Sequence, residues 1–271
     1  MRQILLPVDF SLCSDKAVEF GLQIAHLIDA EVTFIYVSPV LAGGDVTFFI
    51  DEPIFEASKA RATKEFESLK SRMPVLKGLE YNFRFEVGFP VQTIAKVAEE
   101  IHADLIILGT KGVSNKLDEI FGNTAYETLK QAHCPVLIVP QNFEPTIARQ
   151  IAIATNFRME TDYDIVEIMF LIAKALNSEI HVVTIADGPE PRRDPFNRQQ
   201  MKLWAETLEG VRHHFHFIQN SDVEEGMLNY VEDQNINMLV VMPSKLNFIK
   251  SLFHKSVSKR LAYHTQVPLL A

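Results

Sequence analysis

The sequence predicts two tandem α/β units, each a parallel β-sheet flanked by helices, and three observations carry that prediction. The first is internal duplication. "ILLPVDFS" (4–11) matches "IAIATNFR" (151–158), "AHLIDAEVTFIYV" (25–37) matches "AKALNSEIHVVTI" (173–185), and "FRFEVG" (83–88) matches "FHFIQN" (215–220). "DLIILG" (104–109) then matches "MLVVMP" (238–243), and "IFGNTAYETLKQAHCPVLIVP" (120–140) matches "LFHKSVSKRLAYHTQVPLLA" (252–271). Matches in one unbroken order point to a unit written twice. The second observation is short Val/Ile/Leu/Phe runs alternating with segments of helical spacing. The third is a 271-residue chain, 47% hydrophobic and 23% charged, which can bury a core in two units of ordinary size.

Within the first copy, runs at 3–8, 32–38, 81–87, 104–108 and 135–139 read as strands. Their nearly unbroken apolar character fits strands buried on both faces. Segments 14–29, 56–73, 90–102 and 123–132 read as helices. In one of them Pro90 sits at the start, and Val91, Ile94, Val97, Ala98 and Ile101 form one apolar face. Strand–helix alternation implies right-handed parallel winding. The polar, proline-bearing "PQNFEPTIARQ" (140–150) reads as a linker, giving units 1–145 and 146–271.

Composition excludes several classes. No apolar run reaches the roughly 18 residues of a membrane span. Asp9 interrupts the N-terminus too early for a signal peptide. Two cysteines, Cys13 and Cys134, build no disulfide framework and fit a reducing cytosol, so a cytoplasmic location is expected. A formal charge of −9 disfavours a nucleic-acid partner.

Ligands of such sheets bind outside the carboxyl ends of the strands. Waiting there are Asp9–Phe10–Ser11, Val37–Ser38 and Gly109–Thr110–Lys111–Gly112. The last four residues open "GTKGVSNKLDEIFGNT" (109–124), which closes on Gly122–Asn123–Thr124 just before a helical pattern. Glycines let backbone N–H groups approach a ligand. A helix N-terminus favours an anion, Thr124 adds a hydroxyl and Lys111 a charge, so a polyphosphate could lie between the two turns. The plainer reading stands beside it: a glycine after a strand, another before a helix, and Asn123 as a helix cap. Neither the P-loop nor the G-x-G-x-x-G pattern is present.

The spacing Gly109-x-x-Gly112, nine residues, Gly122 and a small polar residue resembles the ATP-binding motif of the universal stress protein family. "ILLPVDFS" resembles that family's first strand and turn, and "CPVLIVP" its terminal strand, so the whole chain is similar to a tandem, two-copy member. The resemblance implies two adenine-nucleotide-binding-like (Rossmann-like) domains, each a five-stranded parallel sheet of order 3-2-1-4-5. It implies adenine and ribose near Pro7, Asp9 and Val37, and phosphates over Gly109, Thr110, Lys111, Gly112, Gly122, Asn123 and Thr124. The family has Ser or Thr directly after the third glycine where this chain has Asn123, whose amide can still donate.

The second copy lacks the machinery. Asp9 is matched by Asn156, Pro7 by Ala154, Gly109 by Pro243, Gly122 by His254 and Asn123 by Lys255. Its "SKLNFIKSLFHKSVSKR" (244–260) reads as a basic helix face or as a side-chain anion site. His214 and His216 in "HHFH" share a strand face opposite Phe215 and Phe217 and lack acidic or cysteine co-ligands, so no metal is expected. Cys13 reads as a partly exposed thiol near a helix start, "DGPEPRRDPFNR" (187–198) as a mobile loop, and "AGGDVTFFIDEP" (42–53) as a segment with exposed aromatics. Apolar terminal strands in both copies would be pairing hazards unless they cover each other, so an intramolecular pseudo-dimer is expected and a further homodimer stays open.

The functional expectation is a cytoplasmic stress-response protein that binds ATP, with or without Mg²⁺, in its N-terminal unit, as a nucleotide-sensing module with an unidentified protein partner. No general base stands beside a nucleophile at the expected site, apart from Asp9, so no catalytic residue is assigned. Two other classes remain open: a nucleotide-independent ligand-binding or scaffold protein, and a slow ATP hydrolase or phosphotransferase.

Overall fold

The computed structural model describes residues 1–39, 52–110, 123–144, 149–157, 162–187, 193–242 and 267–271. Lys111, Gly112 and Gly122, the 42–51 part of the aromatic segment, the basic stretch 244–260 and the 145/146 boundary lie outside them.

The first half runs β1 (Arg2–Pro7), α1 (Leu12–Ile28), β2 (Ala30–Pro39), α2 (Glu52–Arg72), β3 (Tyr81–Gly88), α3 (Pro90–Glu100), β4 (Leu105–Gly109), α4 (Asn123–Gln131) and β5 (Val136–Val139). The second half runs β6 (Gln150–Ala154), α5 (Tyr163–Leu176), β7 (Glu179–Ala186), α6 (Pro195–Thr207), β8 (Arg212–Gln219), α7 (Val223–Asp233), β9 (Met238–Val241) and β10 (Leu269–Leu270). The strands form one sheet in the order β3-β2-β1-β4-β5-β10-β9-β6-β7-β8. Each half therefore has the order 3-2-1-4-5, and every pairing inside a half is parallel.

The halves meet through the one antiparallel pairing among the described residues, Leu269 opposite Ile138 and Leu270 opposite Leu137. Val136 N–H donates to Ala271 C=O at 2.8 Å, and Ala271 N–H returns the bond to Val136 at 3.0 Å. Each terminal strand thus satisfies the other's bare edge. Arg2 of β1 also pairs with Glu167 of α5 at 2.6 Å, tying the halves at the surface.

Strand alternation splits the core between the two faces of the sheet. Ile4, Leu6, Phe34 and Ile107 meet α1 and α2 through Phe20 and Phe66, and the same layer continues into α5 and α6 through Met169 and Trp204. Leu5, Ile35, Ile106 and Leu108 face α3 and α4, and that layer continues to α7 through Met227 and Val231. Phe66 anchors α2: its ring stacks on Phe83 at 4.3 Å and leans on Phe34 at 5.0 Å. Burying one such aromatic contributes about 1.5–3 kcal/mol.

Duplication is written into the backbone. Four left-handed residues of the first half, Phe10 (φ 61°), Asp29 (52°), Gly78 (91°) and His102 (51°), have partners in Phe157 (59°), Asn177 (52°), Gly210 (89°) and Asn235 (49°). Asp29 and Asn177 end α1 and α5 as left-handed caps, a role that favours Gly, Asn and Asp. One steric solution is inverted between halves. A Cβ on Gly88 at the end of β3 would stand 2.5 Å from Thr93 Oγ1 on α3. In the matching place Asn220 follows β8 and Gly226 lies on α7, and a Cβ there would stand 3.0 Å from Ile185 Cγ2 and 3.1 Å from Asn220 Cβ. Whichever partner carries the side chain, the other gives up its own.

Three expectations are corrected. Ile4 pairs with Leu105 and Ile151 with Met238, so Gly109 corresponds to Met242, one residue before Pro243. The match of "DLIILG" to "MLVVMP" was one position out of register, since apolar strands of equal length align almost equally well in either frame. Cys13 is not a partly exposed thiol: it is 4% exposed, with Sγ 3.8 Å from Thr110 Oγ1. Residues 195–198 are not a loop. They open α6, with Pro195 in its first turn and the Asp194 carboxylate accepting from Phe196 N–H at 2.9 Å.

Candidate functional site

The first strand ends in a built turn. Asp9 Oδ1 accepts the Ser11 N–H at 3.0 Å, and Asp9 N–H donates to Ser14 Oγ at 3.3 Å. Ser11 then caps α1, its hydroxyl oxygen accepting from Ser14 N–H at 3.2 Å. Between them Phe10 holds its left-handed backbone and lays its ring on Tyr36, centroids 5.3 Å apart. The turn leaves Asp9 exposed at the carboxyl edge of the sheet. Phe10 and Ser14, absent from the expected site set, are the residues that fix it. The signal for Phe10 was the repeated aromatic in "VDFS" and "TNFR".

Three expected site residues meet at one edge of the sheet, two of them on one face. Leu5 belongs to the layer beneath α3 and α4, and alternation puts Pro7 on the same side, with Asp9 just past the strand's end at the same edge. Val37 packs against that layer too, two residues beyond Ile35, the register partner of Pro7. Val8 N–H donates to Ile35 C=O at 2.8 Å, carrying the β1–β2 pairing to the edge of the turn.

Gly109 closes β4 opposite Val139, and the next residue, Thr110, is buried and donates its N–H to Val139 C=O at 3.0 Å. Gly109 does not adopt a left-handed backbone. Its missing side chain has another cause: a Cβ would stand 2.6 Å from the carbonyl oxygen of Cys13, on the α1 side of the sheet. In the second half, where Met242 replaces Gly109, five residues (158–162) separate Phe157 from α5, whereas Ser11 alone separates Phe10 from α1.

Asn123 begins α4 and Thr124 is exposed in its first turn. Because α4 joins the parallel strands β4 and β5, it runs opposite to them and its N-terminus returns to the carboxyl edge. Ala125 and Leu129 seat it on the same face as Pro7 and Val37. An apolar wall, an exposed carboxylate and an array of helix N–H groups are thus gathered at one corner of the sheet, an arrangement suited to a ligand with a flat apolar part, hydroxyls and an anionic end.

The second half keeps the turn and changes its chemistry. Thr155 Oγ1 accepts from Phe157 N–H at 3.1 Å, and Thr155 N–H donates to Val183 C=O at 2.9 Å, as Val8 does to Ile35. Ala154, Asn156 and Ile185 stand where Pro7, Asp9 and Val37 stand in the first half. The carboxylate is gone.

Cys134 lies just before β5, and burial pushes its thiol up to about 11, with Asp104 and Asp164 acting in the same direction, so it is no ready nucleophile. Among the described residues no group of three or more His, Cys, Asp or Glu is arranged to hold a metal ion, and no helix is long and apolar enough to cross a membrane.

Comparison with known proteins agrees with this architecture. The sequence model of the universal stress protein family matches residues 1–140. A universal stress protein of Methanocaldococcus jannaschii is 32% identical over 145 residues, covering 51% of this chain and 81% of that protein. Universal stress protein YxiE of Bacillus subtilis is 27% identical over 147 residues, covering 51% of this chain and 98% of that protein. The crystal structure of a universal stress protein from Archaeoglobus fulgidus superposes with a TM-score of 0.69 at 18% identity, covering 99% of this chain and 97% of that one, a likeness of fold along the whole length. With its family match spanning the first half and the same topology repeated in the second, the chain belongs to the universal stress protein family.

Proposed function

We propose that this protein binds one ATP per chain in an N-terminal unit, residues 1–145, and that the C-terminal unit, 146–271, does not bind it in the same way. The observation that carries the reading is that Pro7, Val37 and α4 lie on one face of the sheet, with the exposed Asp9 at the same carboxyl edge. Its counterpart in the second half has lost the carboxylate. Adenine would lie against Pro7 and Val37, and the exposed Asp9 would accept hydrogen bonds from the adenosine part. The triphosphate would meet the backbone around Gly109, Thr110, Lys111, Gly112 and Gly122 and the helix start at Asn123 and Thr124. A site of this kind holds a nucleotide without attacking it, which suits a cytoplasmic sensor that changes its affinity for a protein partner, as a pseudo-dimer within one chain or as a further homodimer.

Calorimetric titration with ATP, with and without Mg²⁺, tests the reading on the wild type, Asp9→Ala, Gly122→Val and Asn156→Ala. The expected stoichiometry is one. Loss of a hydrogen bond to a charged group, about 1.5–3 kcal/mol, should weaken binding tenfold or more in Asp9→Ala. Gly122→Val should abolish binding and Asn156→Ala should leave it unchanged. Absence of heat together with absence of thermal stabilisation would return the protein to the scaffold class, because ligand at 100 times its Kd adds about 2.7 kcal/mol. Phosphate release lost with Asp9→Ala would instead favour the hydrolase.

A further inference from the structure

The second half contains a polar cluster that the first half does not. His181 on β7 is 6% exposed and bridges two neighbours. Its Nε2 lies 2.6 Å from Gln150 Oε1 on β6, and its Nδ1 lies 2.5 Å from the Tyr230 hydroxyl on α7. The Gln150 carbonyl oxygen can only accept, so Nε2 carries the proton and Nδ1 accepts from Tyr230. His216 on β8 stacks on His181 with centroids 5.0 Å apart and a 13° tilt, and lies 5.3 Å from the Tyr230 ring. Beside them His214 Nε2 meets Glu179 Oε1 at 2.8 Å.

Duplication makes the difference legible. At the matched positions the first half has Thr33 for His181, Arg84 for His216 and Val97 for Tyr230. There Gln3 and Asn82 donate amide hydrogens to Glu31 at 2.8 and 2.7 Å, and no histidine is present. Replacement of Thr33, Arg84 and Val97 by a buried histidine stacked on a half-buried one, with a tyrosine above them on α7, changes how this half responds to acid.

We propose that His181, Tyr230 and Gln150 form an acid-sensitive latch that holds α7 on the C-terminal half of the sheet near neutral pH and loosens it when His181 takes up a proton. A proton on Nδ1 turns this acceptor into a donor. The Tyr230 hydroxyl hydrogen must then turn away inside a site where Tyr230 is itself only 8% exposed. The new charge also sits in a poorly solvated place against the His216 ring. Tyr230 cannot relieve this by ionising, since burial holds its hydroxyl protonated far above neutrality. The groups facing His181 are Glu179 from its own strand, His214 and His216 from β8 and Tyr230 from α7, while β6 brings the uncharged Gln150.

Burial, followed by His216, holds the His181 imidazole below the ordinary histidine range, and Glu179 opposes this without reversing it. The open form therefore binds a proton at pH values where the latched form does not. The latch is at full strength above the ordinary histidine value of about 6.5 and weakens as pH falls from there towards the folded value.

Hydrogen exchange on the full chain at pH 7.5, 6.5 and 5.5 tests this, with α3 as the internal reference for α7. In the wild type, protection of α7 amides should fall relative to α3 below pH 6.5, by up to tenfold per pH unit. In His181→Thr, the first-half residue, the two helices should respond alike. An equal response of α7 and α3 in the wild type, or an unchanged difference in the variant, overturns the latch. Should the variant not fold, the imidazole resonance of His181 in the wild type decides: a midpoint below about 6.5 supports the proposal, and one at or above it overturns the proposal. None of these readouts involves nucleotide, so they stand apart from the ATP site.

Discussion

Gly109 and Cys13 touch where β4 ends and α1 begins: a Cβ on the glycine would lie 2.6 Å from the Cys13 carbonyl oxygen and 2.9 Å from its Sγ. The carbonyl belongs to the first turn of a helix capped by Ser11, so it cannot swing aside as a side-chain tip could. Gly109→Ala should therefore destabilise the protein by about 1–3 kcal/mol, the usual cost of overpacking, read as a lower urea midpoint at unchanged slope. The same shift would disturb the Asp9 turn, which hangs on Ser14 one residue further along α1. Weaker ATP binding by Gly109→Ala would thus report displacement of α1 as readily as a lost phosphate contact. Asp9→Ala is the cleaner probe.

A second prediction concerns the join. Leu270 is fully buried, its backbone pairs with Leu137, and its side chain lies in the core layer shared by both halves. Leu270→Ala should cost about 2–5 kcal/mol. Leu270→Asp should go further, placing a carboxylate in an apolar layer and freeing β5 as a bare, apolar edge. Chains with a free β5 edge should then pair through it, so light scattering should show concentration-dependent association beyond that of the wild type. A monomeric, fully stable Leu270→Asp would mean that β10 contributes little to holding the halves together.

The sequence made the fold legible because this fold is built from strong local signals. Apolar runs such as "LIILG" and the Pro90 helix have a period that survives without tertiary knowledge, and the repeat supplied each element twice. Strand order needed the family resemblance, since nothing local says which strand lies beside β1. At the site, Asp9 and Val37 could be placed at one edge once the strands were known, because the carboxyl ends follow from strand direction, whereas Pro7 came from the family resemblance. The role of Gly109 could not be read: a glycine that makes room for a helix looks the same in one dimension as one that makes room for phosphate. Nor could the His181 cluster be found. His181, His216 and Tyr230 are far apart in sequence, and only the β7–β8 pairing and the packing of α7 bring them together.

The inverted Gly88–Thr93 and Asn220–Gly226 contacts give the last prediction, because they amount to a swap already made within one chain. A Cβ on Gly88 would stand 2.5 Å from Thr93 Oγ1, whereas Gly226, at the helix position matching Thr93, leaves room for Asn220 at the end of β8. Gly88→Ala alone should destabilise by about 0.5–1.5 kcal/mol, the cost of forcing Thr93 out of its rotamer. Thr93→Gly alone should cost roughly 0.3 kcal/mol in helix propensity, because threonine is already a poor helix former. Together they reproduce the second half's arrangement, with the strand-end side chain filling the space the threonine vacates. The double variant should be more stable than the sum of the singles by an interaction energy of about 0.5–3 kcal/mol. Urea denaturation of the four proteins measures it directly. Additive losses would show that α3 moves aside to admit the extra carbon and that Gly88 is not held by Thr93.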